Sequence, residues 1–151
     1  MTKKIEEEIK SVNFRSARHK ATLNIIVTAN WIHARHLEIF KKYNLTGQQF
    51  NVLRILRGQY PKPCTVLSIR ERMLDKMSDV SRIIERLRIN GYVDRVLCPK
   101  DRRAVDISIT KHGLDLLKKI DKEEENMELI LGNLSEAEAK KLSDLLDKIR
   151  D

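Results

Sequence analysis

The sequence is poor in cysteine and proline, and both shortages limit what the chain can be. Its two cysteines, Cys64 and Cys98, lie far apart and form no CxxC pair. We therefore expect neither a disulfide framework nor a zinc ribbon, and we expect two reduced thiols without a special role. The three prolines are Pro61, Pro63 and Pro99, so long stretches on either side of the middle lack this helix breaker.

Long apolar runs and catalytic motifs are also missing. No stretch approaches the roughly 20 apolar residues that span a bilayer. The N-terminal MTKKIEEEIK lacks the apolar segment of a secretory signal. The sequence contains no GxGxxG, Walker-type, HExxH or GxSxG pattern. We therefore expect a cytoplasmic protein that has no membrane partner, needs no cofactor and is not an enzyme.

The charge that is present is mostly positive and is unevenly distributed. The net charge is +8 and the isoelectric point is about 9.6, which suits a polyanionic partner. Residues 1–65 carry 12 Lys and Arg against 4 Asp and Glu, whereas residues 120–151 carry 5 against 10. The C-terminal segment is therefore a poor candidate for contact with phosphate groups.

A helical period of apolar residues runs from about residue 14 to residue 43. It places two stripes on one helix: Leu23, Val27, Asn30, Ala34 and Leu37, and Ile25, Ala29, Ile32, His36 and Ile39. Only Asn30 and His36 interrupt them. Because a helix with two largely apolar faces must cover both, we expect one face to meet a partner subunit.

The middle of the chain predicts three shorter helices. Thr46 with Gln49 has the spacing of a capping box, and Gly58 with Pro61 ends that first helix. A short helix follows at residues 66–74. In the third helix the apolar residues recur at i, i+3, i+4 and i+7, which predicts one buried stripe. These residues are Val80, Ile83, Ile84 and Leu87.

The hydrophobic period changes from 3.6 to 2 after Gly91, which lies where a left-handed helix cap is expected. Residues 93–98 and 105–109 alternate as two strands, and the basic segment PKDRRA joins them. This pattern predicts a β-hairpin with a basic tip. Thr110 then caps a long helix that Gly132 breaks.

The order of elements predicts the fold class. Ser135 with Glu138 opens a last helix through a second capping box. Three helices followed by a hairpin predict a winged helix-turn-helix, and the outer helices are surplus to that module. We therefore expect a mainly α single domain with a small β-hairpin, residues 1–151. Its DNA-binding lobe would span residues 45–110, and its dimerisation helices residues 1–44 and 111–151.

The exposed face of the third short helix has the chemistry of a recognition helix. Such a helix needs short polar groups and arginines that reach base edges in the major groove. Arg82 can hold a guanine edge in a bidentate way, while Asp79 can accept from cytosine or hold an arginine in place. A solvated amphipathic face is the alternative. The predicted DNA-binding residues are Ser78, Asp79, Ser81, Arg82 and Arg86 on the helix, and Lys100, Arg102 and Arg103 at the hairpin tip.

The hairpin tip is a second candidate contact. Arg102 next to Arg103 concentrates positive charge, and arginine suits a narrow, electronegative minor groove. We expect Asp101 to fix the tip by pairing with Arg103, Arg95 or Arg86. Asp101 and Arg95 are therefore the predicted wing-stabilising residues, and a solvated loop is the alternative.

The stretch from Val80 to Gly113 resembles the signature region of the MarR family (multiple antibiotic resistance regulators). The likeness extends over nearly the whole chain, including LTGQQFNVLRIL and LSEAEAKKLSDLLDKI. The matching elements are Val80-Ser81-Arg82, Leu87, Gly91-Tyr92-Val93, Arg95, Asp101-Arg102-Arg103, Ile109-Thr110 and Gly113.

The resemblance implies a triangular homodimer whose first and last helices interlock. Its two recognition helices would enter successive major grooves of a palindromic double-stranded DNA site. Ser78, Ser81 and Arg82 would contact DNA there, and Arg102 or Arg103 would enter the flanking minor groove. The resemblance also implies a repressor that is released when a small anionic aromatic ligand binds between the dimer helices and the DNA-binding lobe.

The ligand cleft is predicted at Trp31, Phe50 and Arg54, although core packing is the alternative for the two aromatic residues. A helical protein-interaction module that shares the winged fold but binds no DNA is the alternative function for the whole chain. The sequence alone leaves both pairs of alternatives open.

Three features bear on the resemblance. Arg70 replaces the small residue usual in the family's third helix, and it can extend outward or add a phosphate contact. The reactive cysteine that peroxide-sensing members carry near the start of the first helix is missing, so thiol sensing of that form is not expected. His33 and His36 can share a metal with His19 or Glu38, but without a clear third ligand we expect structural roles and no metal site.

Overall fold

The fold is mainly helical with one small sheet, which confirms the predicted fold class. A computed structural model describes residues 3–97 and 105–151. Its helices are α1 Ile5–Glu8, α2 Ala17–Lys41, α3 Gly47–Gln59, α4 Val66–Arg72, α5 Val80–Ile89, α6 Lys111–Ile120, α7 Glu124–Glu128 and α8 Glu136–Ile149. Its strands are β1 Cys64–Thr65, β2 Val93–Leu97 and β3 Val105–Ile109. None of the helices in these two ranges has the length and apolar character that crossing a membrane requires.

Helix α2 is the long first helix of the sequence prediction. Ser16 caps it by accepting a hydrogen bond from the backbone N–H of His19 (3.1 Å), so the helix starts at Ala17, later than predicted. Only Ile39 and Phe40 of its 25 residues are buried. The predicted apolar stripes are therefore largely uncovered in the single chain, because α2 reaches the core only at its C-terminal end.

The core forms where α3, α4 and α5 pack against the sheet and α6. The α3 capping box is confirmed, since Thr46 and Gln49 each accept from the other's backbone N–H (3.1 and 3.0 Å). The buried cluster runs from Ile39 to Ile120. That span is wider than residues 45–110, and the boundary of the lobe stays a prediction. The most deeply buried side chains include Val52, Leu53, Leu56, Ile69, Val80, Ile84, Leu87, Val93, Ile107, Leu117 and Ile120.

The sheet has three strands, whereas the sequence predicted a two-stranded hairpin. Strand β3 pairs antiparallel with β2 along its whole length, and its other edge pairs antiparallel with β1, where Cys64 lies opposite Ile107. The sequence prediction missed β1 because two residues show no alternation and because Pro61 and Pro63 mark the segment as a loop. Strand β1 forms only because it pairs with β3, which lies about 40 residues further along the chain.

Gly91 ends α5 in the predicted left-handed conformation, with φ of 77°. The N–H of Tyr92 donates to the carbonyl of Leu87 (3.0 Å), as in a Schellman cap. The hydroxyl of Thr110 donates to the Gly91 carbonyl (2.7 Å) and accepts from the N–H of Gly113 (3.1 Å). Thr110 therefore ties the end of α5 to the start of α6.

Gly113 lies so close to the chain after α5 that a side chain does not fit. A Cβ atom at this position would lie 2.4 Å from the carbonyl oxygen of Tyr92 and 2.7 Å from Cγ1 of Ile109. We expect Gly113→Ala to lower the free energy of unfolding by about 2–3 kcal/mol, because a backbone atom must move. Urea titration at a fixed protein concentration measures this loss.

The matched control is Gly58→Ala, whose Cβ would meet nothing within 4 Å in the last turn of α3. Removing backbone freedom from the unfolded chain should here raise stability by about 0.4–1 kcal/mol. Equal effects of the two substitutions would contradict the close approach at Gly113.

The single long helix predicted after β3 is wrong, because the chain tightens into a 3-10 turn at Asp121–Glu123. Both terminal nitrogens of Arg57 donate to Asp121 (2.8 and 2.9 Å), and the hydroxyl of Tyr43 donates to Glu123 (3.2 Å). These contacts join the turn to α3 and to the end of α2. The helix breaks where Asp121 and Glu123 bind residues far away in the sequence. Such contacts cannot be predicted from the spacing of apolar residues.

Helix α8 opens with the predicted capping box of Ser135 and Glu138 and buries none of its residues within the chain. Helices α2 and α8 together leave a set of large apolar side chains exposed. They are Ile25, Ile26, Trp31, Leu37, Leu142, Leu145 and Ile149. Exposed apolar surface on this scale is typical of a protein interface.

Candidate nucleic-acid interface

Helix α5 is fixed on one side and open on the other. The predicted stripe of Val80, Ile83, Ile84 and Leu87 is buried. The opposite face exposes Ser81, Arg82 and Arg86. Within residues 3–97 and 105–151, no carboxylate forms an ion pair with either arginine. The helix therefore presents two guanidinium groups from a backbone that its own core holds in place.

Asp79 has a structural role that the sequence interpretation did not give it. Its carboxylate accepts a hydrogen bond from the backbone N–H of Arg82 (3.2 Å) and so caps the N-terminus of α5. A carboxylate at this end also meets the positive end of the helix dipole. Asp79 therefore orients α5, whether or not it also touches a base.

The turn before α5 is held by side chains from α3. The Gln48 amide nitrogen donates to Asp75 (3.1 Å) and to the hydroxyl oxygen of Ser78 (3.3 Å), and Asn51 accepts from the N–H of Leu74 (2.9 Å). The Ser78 hydroxyl is therefore part of the hydrogen-bonded turn that precedes α5. Sequence reasoning missed Gln48 and Asn51, because their partners lie in another element.

Asp75 is the centre of that turn. The backbone N–H of Met77 donates to one of its carboxylate oxygens (2.9 Å), and Gln48 donates to the other (3.1 Å). These two hydrogen bonds, with a smaller contribution from the Ser78 hydroxyl, lower the pKa of Asp75. The carboxylate therefore stays ionised at neutral pH and keeps the turn closed.

Strand β2 is joined to α5 by an ion pair at the base of the wing. The guanidinium of Arg95 lies 3.0 Å from the carboxylate of Glu85, which also forms an ion pair with Arg88 (2.7 Å). The Arg88 hydrogen bond, with the charges of Arg88 and Arg95, lowers the pKa of Glu85. Arg95 therefore links β2 to α5 through Glu85, a partner that the sequence did not suggest. The other predicted wing residues, Lys100, Asp101, Arg102 and Arg103, and also Cys98, lie outside the described residues.

Comparisons with known proteins agree with this geometry. The model of the MarR family matches residues 43–104. The HTH-type transcriptional regulator PecS of Dickeya dadantii is 30% identical over 114 residues, which are 74% of this chain and 69% of PecS. The crystal structure of a MarR transcription factor from Planctomyces limnophilus is 34% identical with a TM-score of 0.70, and the match covers 89% of this chain and 98% of that one.

The chain belongs to the MarR family. It is a DNA-binding transcriptional regulator, and the family is one of regulators rather than enzymes. A structure of BpsR from Bordetella bronchiseptica, whose DNA binding is regulated by 6-hydroxynicotinic acid, is 25% identical with a TM-score of 0.77. That match covers 93% of this chain and 97% of BpsR.

The ligand-cleft residues predicted for this MarR-family chain do not all come together. The ring of Phe50 packs against that of Phe40 in a tilted arrangement (centroids 4.4 Å apart), and the guanidinium of Arg54 lies 5.8 Å from the Phe50 centroid. Trp31 instead has Arg35 beside its ring at 5.5 Å. Because a helix rises about 1.5 Å per residue, Trp31 lies roughly 13 Å along α2 from Phe40. Within the single chain Phe50 and Arg54 are therefore neighbours, and Trp31 lies apart from them on α2, so the cleft of all three residues stays a prediction.

A cleft of about 260 Å³ lies elsewhere, between the start of α3 and the exposed side of α5. Its lining residues are Thr46, Gln48, Gln49, Asp79, Arg82, Ile83 and Arg86. Because it opens beside both arginines, this cleft is part of the surface that α5 presents.

The remaining candidates of the sequence interpretation have local structural explanations. Burial, with the nearby charge of His33, lowers the pKa of His36, whose ring lies 5.9 Å from Phe40. No group of three metal-ligating side chains occurs in the part of the chain that the structure describes. Burial raises the pKa of the Cys64 thiol, which disfavours its reactive thiolate form. Arg70 is exposed, which agrees with both predicted alternatives, and α4 and α5 remain packed.

Proposed function

We propose that the chain is a homodimeric repressor that binds a palindromic operator in the cytoplasm and leaves it when a small anionic aromatic ligand binds. DNA binding follows from the family, and the contact residues, the dimer and the ligand are the proposal. Each of these parts has its own support in the described residues.

The observation that carries the proposed DNA contact is the exposed face of α5. A recognition helix must be held from behind and must offer hydrogen-bond donors in front. The buried stripe of α5 supplies the first condition, and Arg82 and Arg86 supply the second. The full proposed contact set is Ser78, Asp79, Ser81, Arg82, Arg86, Lys100, Arg102 and Arg103.

The dimer is supported by the exposed apolar residues of α2 and α8. Both helices lie outside the helix-turn-helix, and α8 buries nothing in the single chain. The segment from residue 120 to the C-terminus is also acidic, with 5 Lys and Arg against 10 Asp and Glu, so it is poorly suited to DNA. A second copy of the chain is the partner that covers both helices and spaces two α5 helices for a palindrome.

The ligand is proposed by likeness to BpsR, whose DNA binding responds to an aromatic carboxylate. In this chain Phe50 offers an aromatic surface and Arg54 a guanidinium, which suit a ring and a carboxylate. Arg54 lies 3.7 Å from Glu124, so a bound carboxylate would compete with this ion pair. Ligand binding would therefore break a contact to α7, which lies between α6 and α8.

A binding titration tests the proposed operator contact. The full-length protein selects its site from a library of duplexes with a randomised centre, and the selected duplex is then titrated in rising salt. If roughly 6–10 phosphates are contacted, affinity should fall by about 10³-fold or more between about 50 and 200 mM salt. Equal affinity for every duplex would overturn the sequence-specific regulator. Adding 6-hydroxynicotinic acid to the same titration tests release by an aromatic carboxylate.

A further inference from the structure

The turn between α4 and α5 exposes two large apolar side chains. Met77 is 92% exposed and Leu74 is 88% exposed, the two highest values among the large hydrophobic residues of the described ranges. The exposed residues of α2 and α8 are accounted for by the proposed dimer. Met77 and Leu74 lie in the helix-turn-helix itself, so the proposed dimer does not explain their exposure.

This exposure belongs to an ordered segment. The N–H of Met77 donates to Asp75 (2.9 Å), and the N–H of Leu74 donates to Asn51 (2.9 Å). The N–H of Ser78 donates to the carbonyl of Asp75 (3.2 Å). Because α3 and Asp75 hold the backbone on both sides, Met77 is presented to solvent from a fixed position rather than from a free loop.

The position of Met77 points to DNA as its partner. Met77 precedes Asp79, the cap of α5, by two residues, and in a helix-turn-helix this end of the recognition helix approaches the base edges. It adjoins Ser78, which the proposed contact set already contains. The apolar group that a base pair presents in the major groove is the C5-methyl of thymine. Met77 is therefore the apolar counterpart of the hydrogen-bonding residues on α5.

We propose that Met77 is a specificity-determining residue that contacts the C5-methyl group of one thymine in each operator half-site. This inference rests on the proposed function and adds to it a contact with a thymine, a base that the proposed arginine contacts do not recognise. Burying one methyl group is worth about a fourfold change in affinity for each half-site. A palindrome with two such thymines should therefore lose about tenfold or more in affinity when both methyl groups are removed.

Deoxyuridine in place of thymidine tests the inference, because it removes only the methyl group. In the duplex selected by the full-length protein, each symmetric pair of thymines is replaced in turn, and the affinity ratio of the two duplexes is measured. We expect one pair to give a ratio of about ten for the unmodified protein. Met77→Ala and Met77→Gln should reduce that ratio to about one, whereas Met77→Leu, which stays apolar, should keep most of it.

Ile89→Ala is the matched control, since Ile89 is an exposed apolar residue at the C-terminal end of α5, the end away from Met77. It should keep the full ratio. The inference is overturned if no thymine pair gives a ratio, if Met77→Ala and Met77→Gln keep it, or if Met77→Ala alters the oligomeric state in sedimentation instead. A protein that selects no sequence at all would instead overturn the proposed function, and with it this inference.

Discussion

Arg82→Ala is expected to weaken binding to the selected operator by at least about thirtyfold. A bidentate contact between arginine and a guanine is worth about 1–3 kcal/mol, and a palindrome contains two of them. At about 1.4 kcal/mol for each factor of ten, the combined loss is about thirtyfold at its smallest. Fluorescence anisotropy with the selected duplex measures the loss. Sedimentation should show an unchanged dimer, because Arg82 lies on the exposed face of α5 and not on α2 or α8.

The control for Arg82 is Arg88→Ala, which removes the same charge from the same helix. The guanidinium of Arg88 is already engaged by Glu85 through two hydrogen bonds (3.0 and 2.7 Å). Its loss should change operator affinity by less than about fivefold, the range of an exposed ion pair. Equal losses for both variants would mean that α5 acts through its total charge and not through a base contact at Arg82.

Leu145→Glu is expected to dissociate the proposed dimer. Leu145 is 51% exposed on α8, so the single chain should keep its fold when the residue changes. In a dimer interface the new carboxylate would lose its water without gaining a partner, which costs several kcal/mol. The dimer dissociation constant should therefore rise by at least about a hundredfold, as measured by sedimentation velocity over a range of concentrations. Operator affinity should fall with it.

Ser143→Glu provides the matched control for this interface. It adds the same charge to α8 two residues earlier, and at about 100° per residue that position faces the opposite side of the helix. The variant should stay dimeric. A monomer in both cases would indicate general destabilisation of α8, and a dimer in both would remove α8 from the proposed interface.

The candidate site was predicted in its residue types but not in its supporting contacts. The exposed positions of Ser81, Arg82 and Arg86 follow from helical periodicity, since the apolar stripe fixes which side faces the core. The anchoring of the preceding turn by Gln48 does not follow from any pattern. A polar residue on an exposed helix face looks the same in a sequence whether or not it meets a second element.

Pairing partners were the least predictable part of the site. The sequence offered Arg103, Arg95 or Arg86 as the partner of Asp101, which lies outside the described residues, and the described partner of Arg95 is Glu85 of α5. Charged side chains of either sign are frequent in this chain, so opposite charge alone does not select one partner. The distance between them is set by how β2 packs beside α5.

The winged helix-turn-helix itself was determined by the sequence, because its signals are local. The buried stripe of α5, the left-handed Gly91 and the capping box at Thr46 each depend on residues within a few positions of one another. Such signals act between neighbouring residues, and the structure contains each of them.

The tertiary structure alone decided the features that join distant parts of the chain. Strand β1 forms because β3 offers Cys64 a free edge, and the helix after β3 breaks where Arg57 binds Asp121. The exposure of Met77 likewise depends on α3 and Asp75 holding its turn. Each of these features depends on which parts of the folded chain come into contact. A hydrophobic pattern predicts that a surface is buried, but it does not identify the element that covers it.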